Sequence, residues 1–218
     1  MTETRAKIFL VDDHPLVREW LTNLIQQNSD LIVCGEAEDV PTALTGIAEI
    51  QPDLAIIDLS LGGGSGIELI RSIRKLFPKV AMIVLSMHDE RTYAERSMRA
   101  GARGYIMKRE STKKIVNAIR EVLKGNMYVS DELTALFAKK FVSGPSPTNG
   151  LPIAQLSDRE LDVFRLLGEG HEPREIAEVL NVNVKTVHTY CTRIKEKMKF
   201  STGAELQREA IRWSNDQF

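Results

Sequence analysis

Two cysteines, Cys34 and Cys191, are all that the 218 residues contain. They stand far apart and show no metal-ligand spacing. That excludes a disulfide framework and a cysteine-built metal site, and reduced thiols of a cytoplasmic protein are the expectation. Long apolar runs are missing too. No run approaches the ~20 residues that a membrane span needs. The opening MTETRAKIFLVDDH has an apolar core of four residues, against the roughly 7–15 of an export signal. Neither a membrane contact nor export is expected. Charge of one sign is also lacking, since the net charge is −1. This argues against a nucleic-acid partner held by overall charge. The average hides segment 185–199, where Lys185, Arg193, Lys195, Lys197 and Lys199 oppose only Glu196. Such a stripe can still form a phosphate-binding face on a neutral protein.

What is present is an alternation. Short apolar β-rich runs lie at 7–11, 32–36, 54–58, 81–86 and 104–108. Helical periodicity follows each: from Pro15 with Leu16, Trp20, Leu21, Leu24 and Ile25 on one stripe, then at 41–50, 66–76, 91–100 and 111–124, the last with Ser111 as N-cap. Five strands interleaved with five helices predict a doubly wound parallel sheet covered on both faces. One more helix is expected at 131–141. The Gly, Pro, Ser and Asn of SGPSPTNGLP, 143–152, then read as a linker. Beyond it the pattern is all helical. Ser157-x-x-Glu160 is a capping box opening a helix striped with Leu161, Val163, Phe164 and Leu167 and closed by Gly168 and Gly170. Pro173 opens a second helix with Ile176, Ala177 and Leu180 inward. A third spans about 184–198, and Ser201 is placed to cap a fourth at 202–213. Two short helices around a tight turn, the second basic, match a helix-turn-helix.

In a parallel sheet, sites form at the carboxyl ends of the strands. Asp12 and Asp13 end the first expected strand, Asp58 the third, Ser86 the fourth and Lys108 the fifth. Three crowded carboxylates repel unless a cation intervenes. Mg2+ fits, being a hard ion that is held by a few carboxylates and phosphate oxygens. Lys108 is suited to neutralise a phosphate and Ser86 to donate to it, so Asp58 could take a phosphoryl group as an acyl phosphate. Alone, each of these residues is more ordinarily a turn residue, a cap or a solvated charge; Asp13, before His14-Pro15, also reads as an N-cap. Placement at successive strand ends reverses those readings. His14, His88, His171 and His188 show no metal spacing and read as ordinary loop or helix residues.

DDH at 12–14, IIDLSLGGGSG at 56–66, LSMHD at 85–89 and GARGYIMKRES at 101–111 resemble the flavodoxin-like receiver domain of two-component response regulators. The resemblance implies Asp58 as phospho-acceptor and Asp12 and Asp13 as the acid pair serving Mg2+, with Asp13 favoured as the direct ligand. It adds the backbone carbonyl of Ser60 as a further metal ligand, Ser86 and Lys108 as the switch hydroxyl and phosphate-binding lysine, and Tyr105 as the switch aromatic. Two departures stand out. Gly62 replaces a frequent proline, and Gly62-Gly63-Gly64 should loosen that loop. Arg109 stands where the residue after the lysine is often proline, preceded by a cis bond; before a non-proline, cis costs about 2.5–4 kcal/mol.

LSDRELDVFRLLGEG (156–170), REIAEVLNVNVKTVHTYCTRIKEKM (174–198) and Ser201 resemble the four-helix DNA-binding domain of the LuxR/NarL type. This makes 184–198 the recognition helix. Val184, Val187, Cys191, Ile194 and Met198 recur at three- and four-residue steps and should face inward. His188, Thr189 and Thr192 then point at base edges, and Lys185, Thr186, Arg193 and Lys199 at phosphates, with Lys195 on the same surface. The resemblance implies a receiver over 5–125, a helix and linker over 126–153 and a DNA-binding domain over 154–214. Implied partners are a sensor histidine kinase, double-stranded DNA, RNA polymerase and, once phosphorylated, a second copy joined through helix 202–213. A phosphate on Asp58 should draw the Ser86 loop inward, let Tyr105 rotate and alter the surface around 91–108. The sequence disfavours two other classes. A Mg2+-dependent phosphatase wants a carboxylate two residues after its nucleophile, where Ser60 stands. A protein-docking output would lack salt-dependent DNA binding. A nucleotide loop at Gly62–Gly64 lacks the Gly-Lys-Ser/Thr ending.

Overall fold

The computed structural model describes residues 5–61, 64–143 and 152–215. Gly62, Gly63 and most of the expected linker lie outside the described residues. Residues up to Leu136 form one compact unit and those from Phe137 a second.

The first unit is built from strands β1 (Ala6–Val11), β2 (Leu31–Ala37), β3 (Leu54–Ile57), β4 (Ser60–Leu61), β5 (Gly64–Ser65), β6 (Ala81–Ser86) and β7 (Gly104–Met107). Its helices are α1 (Pro15–Gln26), α2 (Val40–Ile50), α3 (Gly66–Leu76), α4 (Glu90–Ala100) and α5 (Thr112–Leu123), and α6 (Asp131–Ser143) begins there. Five strands form a doubly wound sheet in the order β2-β1-β3-β6-β7, every pairing parallel; β4 and β5 make a separate antiparallel hairpin. The central strands are continuous apolar runs because helices cover both faces. Ile8, Leu10, Leu54, Ile56, Ile83 and Leu85 are buried with Ile115 and Ile119 of α5. Strand order reverses between β1 and β3, which puts a crevice at their carboxyl ends.

Three local expectations need correction. On α1 only Leu21 and Ile25 are fully buried. Leu16 is 78% exposed and Trp20 is at the surface, because at 3.6 residues per turn both fall about 100° or more off the line through Leu21 and Ile25. His14, not Asp13, is the N-cap of α1, and it caps without a side-chain bond. Ser111 is the N-cap of α5 as expected, without a side-chain bond. The fourth helix of the second unit is capped by Thr202 rather than Ser201: Glu205 N donates to Thr202 Oγ1 at 3.1 Å, and Glu205 Oε2 accepts from Ser201 N and Thr202 N.

The second unit holds a 3-10 turn at Pro152–Gln155 and helices α7 (Asp158–Gly168), α8 (Pro173–Val179), α9 (Val184–Met198) and α10 (Gly203–Asn215). Leu161, Val163, Phe164 and Leu167 are buried as expected, with Ile176, Ala177, Val187, Ile194 and Trp213. Val184 and Cys191 are half-buried. Among the described residues no helix is long and apolar enough to cross a membrane.

Glu160 ties this unit together. It is 3% exposed, it closes the capping box by accepting from Ser157 N at 2.7 Å, and it accepts from Lys197 Nζ of α9 at 2.6 Å. Burial pushes its carboxyl up, but Lys197 and Ser157 outweigh burial and hold it below the usual carboxylate range. A depressed folded pKa contributes stability above the unfolded value near 4.3 and loses it as pH falls through the folded value. Glu160→Gln should therefore lower the stability of this unit by about 2 kcal/mol at pH 7, between the cost of a lost cap and that of a broken buried pair. The deficit should shrink toward pH 3. Urea unfolding followed through Trp213 in a Trp20→Phe background measures it, and an unchanged midpoint at pH 7 would contradict the assignment.

Candidate functional site

The expected site residues of the first unit converge. Asp12 follows β1, Asp58 follows β3, Ser86 ends β6 and Lys108 follows β7, so four adjacent strands deliver their last side chains to one edge. Asp58 and Lys108 each lie one residue beyond the strand that was expected to contain them. Asp12 and Asp58 are 3% and 4% exposed. Lys108 Nζ sits 2.7 Å from Asp12 Oδ2 and 2.7 Å from Asp58 Oδ2. Burial pushes the Asp58 carboxyl up and Lys108 only partly offsets it, so it stays above its usual value. Burial pulls the Lys108 ammonium down, but the two aspartates overcome this and raise it.

Asp58 Oδ1 accepts from Leu59 N at 2.7 Å. Gly66 opens α3 directly behind it, and a Cβ there would stand 2.2 Å from the Asp58 carbonyl oxygen. A side chain at 66 would push the acceptor's backbone out of place. Ser86 is fully buried, and its Oγ accepts from His88 N at 3.3 Å. Tyr105 is buried as well and donates its hydroxyl to the His88 carbonyl at 2.8 Å. The inward position expected of it after phosphorylation is the one it holds here. The Lys108–Arg109 bond is trans, as no described peptide bond is cis.

One ligand atom each from Asp12, Asp13, His14 and Asp58 lies within 4.8 Å of the others. Asp13 Oδ1 is shielded from solvent with no aligned donor, although His14 Nδ1 is 2.6 Å away. Three hard carboxylates gathered at one edge fit Mg2+. From the sequence His14 and His88 read as ordinary loop or helix residues. His14 borders the acid cluster, and His88 Nε2 lies 2.7 Å from Ser60 Oγ while its ring stacks on Tyr93. The adjacency of His14 to the acid pair was the available signal for the first. Nothing in the chain spacing links Ser60 with His88.

On α9, Lys185, His188, Thr189, Thr192, Arg193 and Lys199 are exposed, while Thr186 and Lys195 are half-exposed. Asn183 caps the helix by accepting from Lys185 N at 2.8 Å. Asn183, Lys185, Thr186, Thr189, Tyr190 and Arg193 line a shallow cleft of about 470 Å³. Tyr190 was not anticipated there; its place one residue from Thr189 on the helix was the only signal.

Residues 8–120 match the family model of the response regulator receiver domain, and residues 154–210 that of the luxR family of bacterial regulatory proteins. Oxygen regulatory protein NreC of Staphylococcus carnosus is 33% identical over 211 residues, covering 94% of this chain and 97% of that protein. A LuxR-family two-component response regulator from Aurantimonas sp. SI85-9A1 is 34% identical with a TM-score of 0.59, over 64% of this chain and 99% of that one. RcsB from Salmonella enterica serovar Typhimurium was solved bound to promoter P1flhDC in the presence of phosphomimetic BeF3-. It is 25% identical with a TM-score of 0.68, over 95% of this chain and 98% of that one.

Proposed function

Because the chain belongs to the response regulators that join a receiver domain to a LuxR-family DNA-binding domain, we propose that it accepts a phosphoryl group on Asp58 from a sensor histidine kinase and thereby controls its binding to specific double-stranded DNA. The receiver spans 5–125, a helix and linker 126–153, and the DNA-binding domain 154–214. The observation that carries this is the pocket itself: two buried carboxylates share one ammonium at 2.7 Å, and a third carboxylate, Asp13, lies beside them with one ligand atom within 4.8 Å of theirs.

Asp12, Asp13, Asp58 and the backbone carbonyl of Ser60 would hold Mg2+, Asp13 most directly. When bound, Mg2+ supplies charge neutralisation to the phosphoryl oxygens and the crowded carboxylates. Asp58 uses a carboxylate oxygen to form the bond to phosphorus as the bond from phosphorus to the donor breaks. Lys108 then exchanges its contact with Asp58 for the new phosphate oxygens, and Ser86 turns its hydroxyl to donate to one of them. That change removes the hydroxyl from His88 N, in the loop whose carbonyl Tyr105 holds. The only reaction assigned to the chain is formation and loss of this acyl phosphate. In the second unit α9 enters the major groove, consistent with the promoter complex of RcsB. Phosphorylation promotes a homodimer that binds paired half-sites, with α10 as a pairing surface.

Acetyl phosphate with Mg2+ should add the mass of one phosphoryl group at Asp58 and tighten DNA binding. Asp58→Ala should show neither change. Equal DNA affinity of both proteins, with and without phosphodonor, would refute phosphorylation control.

A further inference from the structure

Arg18, on α1, reaches back to the main chain of the acid pocket. Its Nη1 donates to the Asp12 carbonyl oxygen at 2.6 Å, and its side chain is 13% exposed. The remaining polar atoms of Asp12 are also held. Its N–H donates to Ala37 O at 3.1 Å, Oδ1 accepts from His14 N at 2.9 Å, and Oδ2 faces Lys108 Nζ. The Asp12 carbonyl belongs to the peptide unit that joins Asp12 to Asp13. That unit is planar, so a donor on its oxygen fixes the plane from which Asp13 departs. Asp13 is the acid whose Oδ1 has no aligned donor.

We propose that Arg18 is a positioning residue for the cation pocket: its grip on the Asp12 carbonyl sets the peptide plane between the two acids and so the direction of the Asp13 carboxylate. This rests on reading the acid pair as the Mg2+ site. Simple electrostatics gives the opposite expectation. A guanidinium beside a cation pocket repels the cation, and the acid paired with its Nε among the described residues is Glu36, whose Oε2 is 3.4 Å away and largely in solvent. Positioning and repulsion therefore differ in sign when Arg18 is replaced.

The test is calorimetric titration of the full chain with Mg2+ alone, without phosphodonor. Arg18→Met removes both charge and donor. Arg18→Gln removes the charge and leaves an N–H2 donor two bonds short of the reach of Nη1. Positioning predicts that Arg18→Met weakens Mg2+ binding about tenfold or more, the range seen when groups orienting metal ligands are lost, and that Arg18→Gln weakens it in the same direction. Mg2+ binding as tight as wild type, or tighter, in both variants would overturn the proposal. Should Arg18→Met fail to fold, the sign of the change in Arg18→Gln decides. A wild-type chain that does not bind Mg2+ would sink the cation reading itself, and this proposal with it.

Discussion

Lys108→Met is expected to lower the melting temperature of the receiver by on the order of 10 °C in Mg2+-free buffer at pH 7.5. The ammonium is the only cation within 4 Å of either buried carboxylate oxygen Oδ2 among the described ion pairs. Without it, Asp12 and Asp58 face each other in a water-poor pocket, and breaking a buried pair by removing one partner costs about 3–5 kcal/mol. For a unit of this size each kcal/mol moves the midpoint by roughly 3 °C. Three controls separate this cause from lost packing. Adding Mg2+ should stabilise the variant more than the wild type, because the ion supplies charge that Lys108 no longer does. Lowering the pH should also recover stability. A carboxylate whose folded pKa lies above its unfolded one binds its proton earlier in the folded state, so stability falls as pH rises between the two values. Asp58 is already raised beside Lys108, and losing the lysine widens that window. Finally, Asp58→Asn in the same chain should restore most of the loss. A Lys108→Met protein that melts like wild type, or responds to neither Mg2+ nor pH, would show that the pocket is not organised by this charge balance.

The first unit was legible because its chemistry is tied to strand ends. Continuous apolar runs marked β1, β3, β6 and β7, and a parallel sheet must line up their carboxyl ends, so Asp12, Asp58, Ser86 and Lys108 could be brought together from chain position alone. What the chain hid was contact that depends on rotamer or loop path. Leu16 and Trp20 look like core on an apolar count, yet the angular position of each on α1 turns it to the surface. The partnership of Ser60 with His88 joins residues 28 apart, one on the two-residue strand β4 and one in the loop after β6, with no periodicity to read. Capping was legible where two signals agreed, as at Ser157 and Glu160. It failed where one serine was weighed without its third neighbour, as at Ser201, since Glu205 is the partner of Thr202. Gly66 was seen only as part of a motif, and its reason is a carbonyl oxygen 2.2 Å from where a Cβ would sit. The grip of Arg18 on Asp12 was likewise invisible, because one arginine on an amphipathic helix reads as solvated charge.

Replacing Lys185 and Arg193 together by alanine should weaken DNA binding steeply at low salt and less so at high salt. Both are exposed on α9 and both border the cleft beside Asn183 and Thr189. If each neutralises one phosphate, the slope of log affinity against log salt falls in magnitude by about 0.9 per contact, or ~1.8 for the pair. Between 50 and 200 mM salt the advantage of wild type over the variant should then shrink about twelvefold. Any DNA should show this, because phosphate contacts carry no sequence. The threonines behave otherwise. Thr189 Oγ1 donates to the Lys185 carbonyl at 2.9 Å and Thr192 Oγ1 to the His188 carbonyl at 3.0 Å. Each hydroxyl proton is thus spent on the helix, and what remains for a base is a methyl group and acceptor lone pairs. Such a surface suits a thymine methyl or a cytosine or adenine amino group, not guanine, whose major-groove edge only accepts. Thr192→Val keeps the methyl and should retain affinity for a site read through thymine. Thr192→Ser should lose about 1 kcal/mol there while leaving nonspecific binding and its salt slope intact. Filter binding or anisotropy at four salt concentrations measures both. An unchanged slope in the Lys185→Ala, Arg193→Ala chain would mean that this face of α9 does not meet the phosphate backbone.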